Sequence, residues 1–90
     1  MYLVLYDIED DRLRTRFSKF LQKYGRRLQY SVFEVKNSKR ILDNIKTEIK
    51  TNFSKKFGQA DSVLVYNVVD TDCVAKFGHP VNEEGDLVFL

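Results

Sequence analysis

Ninety residues, 43% of them hydrophobic and with seven Phe and five Tyr, can build one small core, which argues against both a multidomain enzyme and a disordered chain. Cys73 is the only cysteine, so neither an internal disulfide nor a thiolate-rich zinc site can form within the chain, and a reducing, cytoplasmic setting fits. The net charge of +2 is unevenly spread: residues 12–56 carry fourteen of the fifteen Lys and Arg against three acids, giving +11, and the rest of the chain sums to −9. Such segregation suits either a surface addressed to a polyanion or two ordinary solvated faces.

Met1 to Tyr6 reads as a short apolar strand, central in its sheet, and it meets Asp7 too soon to act as a signal peptide or membrane span. Glu9, Asp10 and Asp11 place acid where a helix should begin. Leu13, Phe17, Phe20, Leu21 and Tyr24 recur at helical spacing, and Gly25 offers a stop. Leu28 to Val35 is β-rich and reads as one strand, with Tyr30 and Val32 alternating against Gln29, Ser31 and Phe33.

Asn37 or Ser38 can cap a second helix whose Ile41, Leu42, Ile45, Ile49 and Phe53 form one stripe, ending near Gly58. Ser62 to Val69 reads as a second fully apolar strand, and Asp86 to Leu90 as a short terminal one after the turn-prone Asn82 to Gly85. This order predicts an α+β sandwich with two helices on one sheet face, a single domain of residues 1–90 with a core of 1–70 and an extension of 71–90. The open sheet face needs a cover, and a second copy of the chain supplies one, so a homodimer is expected. The terminal strand, which would otherwise expose Leu87, Val88, Phe89 and Leu90, is expected to exchange between subunits and lock that dimer.

Candidate chemistry is sparse. On a helical wheel Arg12, Arg16, Lys19 and Lys23 share one stripe, roughly 16 Å long at about 1.5 Å per residue, and Arg26 and Arg27 extend it. Like charges at i and i+4 repel mildly in a free helix and become favourable beside phosphates, so the stripe is either a nucleic-acid contact or a solvated face. Asp7 either caps the following helix or serves as a Mg²⁺ ligand, since Mg²⁺ commonly takes one or two carboxylates and keeps several waters. The lone His79 is assigned no role. The chain has no phosphate-cradling glycine loop, nucleophile elbow or HExxH motif.

The run Leu5-Tyr6-Asp7-Ile8-Glu9-Asp10-Asp11-Arg12-Leu13-Arg14, followed by Arg27-Leu28-Gln29-Tyr30-Ser31-Val32-Phe33-Glu34, closely resembles the CRISPR-associated protein 2 family. The resemblance extends from Met1 to about Val69 and is weak from Thr71 onward. It implies a ferredoxin-like homodimer in which Asp7 of each subunit faces its mate and the pair holds one Mg²⁺. By the same match Tyr6, Asp7, Arg14, Arg16, Arg27 and Phe33 occupy positions associated with metal-dependent endonuclease activity in some members, cleaving RNA or DNA. The family also implies a subunit that binds duplex DNA or single-stranded RNA and bridges two dimers of the CRISPR-associated integrase during spacer acquisition. A toxin-type endoribonuclease of similar fold is the alternative. The family's hairpin between the helices is at odds with the run Leu28 to Val35, which offers no turn residue other than Ser31 and reads as one bent strand.

Overall fold

The computed structural model describes residues 1–78; the expected terminal strand, its exchange between subunits and His79 lie outside those residues. In chain order the elements are β1 (Tyr2–Asp7), α1 (Asp11–Gln22), β2 (Gly25–Gln29), β3 (Val32–Val35), α2 (Lys39–Glu48), β4 (Ser62–Asn67) and a short 3₁₀ turn (Thr71–Cys73). They form a ferredoxin-like α+β sandwich whose four-stranded antiparallel sheet runs β2-β3-β1-β4. Among the described residues no helix is long and apolar enough to cross a membrane.

The sheet's period of two divides β1 cleanly. Tyr2, Val4 and Tyr6 are buried against the helices, whereas Leu3 and Leu5 are half-buried and Asp7 is exposed on the other side. β1 is central, as expected, but only one of its faces is closed. β4 departs further from a fully apolar buried strand: it is a sheet edge whose Val63 and Val65 pack on the core while Leu64 and Tyr66 are 53% and 54% exposed. An apolar run alone cannot distinguish a strand covered on both faces from one awaiting a cover.

α1 begins where its sequence signals place it, with the Asp10 carboxylate accepting from the Leu13 N–H at 2.8 Å. Leu13, Phe17, Phe20 and Leu21 are buried beneath it. Phe17 lies edge-on to Tyr6 of β1 and to Phe53 beyond α2, each with ring centroids 5.0 Å apart, so one ring ties both helices to the sheet. Ser38 caps α2 by accepting from Ile41 N. Past Glu48 the chain widens into a π-helical turn (Ile49–Phe53) and a 3₁₀ turn (Ser54–Lys56). Residues spaced by four drift about 40° per step at 3.6 residues per turn. The wider turn takes that drift back and returns Phe53, 5% exposed, to the core.

The run Leu28 to Val35 is not one strand. β2 starts at Gly25, and a turn at Tyr30 and Ser31 reverses the chain into β3, with a register irregularity between Arg27 and Gln29. No non-glycine residue among those described has positive φ, so the primed turn chemistry that marks most tight hairpins is absent. β1 supplies the substitute: the Tyr6 N–H donates to the Ser31 carbonyl at 3.0 Å, and the Tyr6 hydroxyl to the Tyr30 carbonyl at 3.2 Å. Phe33 and Val35 then face inward, and Val32 and Glu34 outward, which also reverses the expected grouping of Phe33 with the polar positions.

Gly25 acts at a different step from the expected helix stop. The helix ends at Gln22, and a Cβ on Gly25 would stand 1.9 Å from the Glu34 carbonyl oxygen across the β2–β3 ladder. The obstruction is backbone and cannot rotate away. Gly25→Ala should therefore lower unfolding free energy by about 3 kcal/mol or more, at the upper end of overpacking costs, read as a shift of the urea midpoint.

Candidate nucleic-acid interface and metal half-site

The residues expected to act together fall on two sides of the sheet. Asp7, at the carboxyl end of β1, shares the open face with Leu3 and Leu5, and its neighbour across the β1–β4 ladder is Ser62. Its carboxylate is exposed and has no hydrogen-bond or ion-pair partner among the described residues. It does not cap α1, because Asp10 does. The surface beside it is largely apolar, Leu5 being paired with Leu64 on one side and Val32 on the other and Leu3 with Tyr66, and it turns charged at Glu34, the partner of Leu3 on β3.

Among the described residues no group of three or more His, Cys, Asp or Glu could enclose a metal ion. A single exposed carboxylate fits Mg²⁺ only as half of a site, which a second carboxylate would complete.

Tyr6 and Phe33 lie on the opposite, helix-packed face and are 4% and 0% exposed. The Arg27 guanidinium stands over the Phe33 ring, 5.3 Å from its centroid, and close to the Tyr6 phenol. Arg27 Nε is buried with no hydrogen-bond partner among the described residues. Arg14 folds back along the start of α1, donating to the Ile8 carbonyl at 2.9 Å and pairing with Asp11. Burial pushes the Tyr6 hydroxyl above its ordinary pKa, while the Arg27 and Arg14 cations pull more weakly the other way.

Arg12, Arg16, Lys19 and Lys23 project from α1 into solvent, as does Arg26 at the start of β2. Arg16, Lys19 and Lys23 line a groove of about 440 Å³ whose other wall is the end of the second helical segment, with Lys55 and Lys56. The two lysines were missed because their approach to α1 depends on how the helices cross, which periodicity within either helix does not reveal. Also unforeseen is Asp61, whose two carboxylate oxygens accept from the Glu9 N–H at 2.9 Å and the Gly58 N–H at 2.8 Å. Those bonds, chiefly the one from Glu9, hold its carboxyl below the ordinary value and tie the loop after Asp7 to the loop before β4.

Residues 1–76 match the family described as CRISPR associated protein Cas2. The chain belongs to the Cas2 family. It is 34% identical over 93 residues to the CRISPR-associated endoribonuclease Cas2 4 of Rhodospirillum rubrum, covering 97% of this chain and 73% of that protein. It is 41% identical over 68 residues to the CRISPR-associated endonuclease Cas2 2 of Thermus thermophilus, covering 76% of this chain and 72% of the relative. Among solved structures, Streptococcus pyogenes Cas2 superposes with a TM-score of 0.68 at 25% identity, over 86% of this chain and 98% of that one. A hypothetical protein from Thermus thermophilus gives 0.67 at 32% identity, over 77% and 80%.

Both Cas2 sequence blocks sit around the Tyr6 hydroxyl, which links β1 to the β2–β3 turn. With a folded-state pKa above the ordinary 10.0, Tyr6 contributes stability that is full below about pH 10 and is lost as pH rises towards the folded value. Tyr6→Phe should cost about 1 kcal/mol at neutral pH through the unpaired Tyr30 carbonyl, and should soften the loss of stability above pH 10. Urea melts of both proteins across alkaline pH give the comparison.

Proposed function

We propose that this chain works as a homodimer closed through the open sheet faces, binding nucleic acid through its basic helix face in CRISPR-associated defence. The observation that carries this reading is Asp7, an exposed, unpartnered carboxylate beside an apolar sheet face. A domain this small gains most from burying such a surface, and a second copy laid on it would bring two Asp7 carboxylates towards each other. Two carboxylates and ordered waters make the usual kind of Mg²⁺ site.

When bound there, Mg²⁺ would supply charge neutralisation and a more acidic water for phosphodiester hydrolysis. In this reading each Asp7 holds the ion, and Arg14, Arg16 and Arg27, which lie on the helix side of the sheet, hold phosphate oxygens elsewhere on the same nucleic acid as fixed cations. Tyr6 and Phe33, being buried, position Arg27 and do not touch substrate. The endoribonuclease and endonuclease names of the relatives support hydrolysis of RNA or DNA as the reaction class. A second role, bridging two dimers of the CRISPR-associated integrase on duplex DNA during spacer acquisition, needs only the basic face and the dimer. The segregation of fourteen of fifteen cations into residues 12–56 favours it.

Asp7→Ala should abolish Mg²⁺-dependent cleavage of single-stranded RNA or duplex DNA while leaving the dimer and thermal midpoint unchanged, because its carboxylate packs against nothing. Cleavage that persists in the variant, from a preparation free of other nucleases, would remove Asp7 from the reaction. Replacing Arg16, Lys19 and Lys23 together by Ala should weaken binding and make log K less steep against log salt by about 2 to 3, at 0.7 to 0.9 per lost phosphate contact. An unchanged slope would assign the stripe to solvation alone.

A further inference from the structure

Three surface grooves run into one another, from the helix side round to the sheet edge at β2, where Arg26 stands across the ladder from Glu34, and cations mark every junction. The first, about 190 Å³, is lined by Asp10, Arg12, Leu13, Arg16 and Lys56. It shares Arg16 and Lys56 with the central groove of about 440 Å³. That groove in turn shares Lys23 with a third of about 420 Å³, to which Arg26 and Lys36 contribute. The track therefore carries Arg12, Arg16, Lys19, Lys23, Arg26, Lys36, Lys55 and Lys56 from four parts of the chain.

Acids in the track are few. Asn52 donates to the Glu48 carboxylate at 2.7 Å, and Glu34 is paired with Lys76, so both larger grooves have their acid already engaged. None of the eight cations has an ion-pair partner among the described residues.

We propose that this track is a two-walled seat for the phosphate backbone of one nucleic-acid strand, with Lys55 and Lys56 gripping it opposite the α1 stripe. The inference rests on the nucleic-acid reading above and adds a second wall to it. Eight like charges drawn together repel one another, a cost that a line of phosphates reverses by counterion release. A flat cationic surface would serve a duplex by contact along one side, whereas a groove walled by cations on both sides follows a single backbone. The floor suits a sugar–phosphate chain: Phe20 and Phe53, ring centroids 5.1 Å apart, present apolar edges between the charged rims. The π-helical turn forms part of the second wall, with Thr51, Asn52 and Phe53 lining the central groove just ahead of Lys55 and Lys56. Arg27 is not part of the track; it belongs to the Tyr6 and Phe33 cluster.

The test compares the Lys55→Ala/Lys56→Ala variant of the whole chain with the charge-matched Lys39→Ala/Lys46→Ala variant, whose exposed lysines lie outside the three grooves. Fluorescence anisotropy would follow a labelled single-stranded RNA and a duplex DNA of equal length through a salt titration. Loss of two phosphate contacts should make the log K against log salt slope shallower by about 1.4 on the single strand and about 1.8 on the duplex, with little change for the control pair. A shallower slope on the single strand supports the seat, and one confined to the duplex would overturn it. Equal slopes for the two variants on both ligands would overturn it, while a slope change in the Arg16, Lys19 and Lys23 variant would leave the wider nucleic-acid reading intact. Absence of binding by the unaltered protein would overturn both.

Discussion

The alternation of β1 governs everything the chain presents to a partner. Tyr2, Val4 and Tyr6 enter the core, so Leu3, Leu5 and Asp7 must point away from it. A slip of one residue would push Asp7 beneath Phe17 and bring the Tyr6 ring into water, at a cost set by desolvating the carboxylate and exposing a large apolar ring. The register is therefore held by aromatic burial, and the exposed position of Asp7 follows from it. The six ladder pairs between β1 and β4, extended by Met1 and Val68 exchanging backbone hydrogen bonds at 2.8 and 3.0 Å, fix the strand lengthwise.

The aromatic cluster does more than fill space. Phe17 is the ring that Tyr6 and Phe53 share, so α1, the sheet and the end of the second helical segment are located by one contact set. Because Lys55 and Lys56 lie two and three residues beyond Phe53, the burial of that ring decides where the second wall of the basic track stands. The basic surface is thus positioned from beneath by apolar packing, while its own charges oppose one another.

The sequence foretold much of this where signals were local. Asp10, the i, i+3 and i+4 recurrence of Leu13, Phe17 and Phe20, and Ser38 before the second apolar stripe placed both helices, because each is complete within one turn of chain. The β2–β3 hairpin was hidden because its turn is stabilised from outside, by Tyr6, and carries only Ser31 of the residue types that mark tight turns. The exposure of Leu64 and Tyr66 was hidden because an edge strand awaiting a cover has the composition of a buried one. For the site, Asp7 and the α1 stripe could be named from sequence, but that Tyr6 and Phe33 lie across the sheet from Asp7 depended on the pleat, and Asp61 on two loops meeting.

That division bears on how binding and hydrolysis relate. Asp7 opens onto the strand face, whereas Lys19, Lys23, Lys55 and Lys56 line a groove on the helix face, so the sheet stands between them. Within one chain, a phosphate seated midway along the track is not the one that an ion at Asp7 would meet. The two surfaces approach each other only near the start of α1, where Arg12 lies five residues beyond Asp7. A dimer closed through the strand faces keeps both α1 stripes outward and brings the carboxylates together, while Arg26, across the ladder from Glu34, shares the face that closes. The two surfaces thus carry separate side chains, yet the contact set of Tyr6, Phe17 and Phe53 locates both.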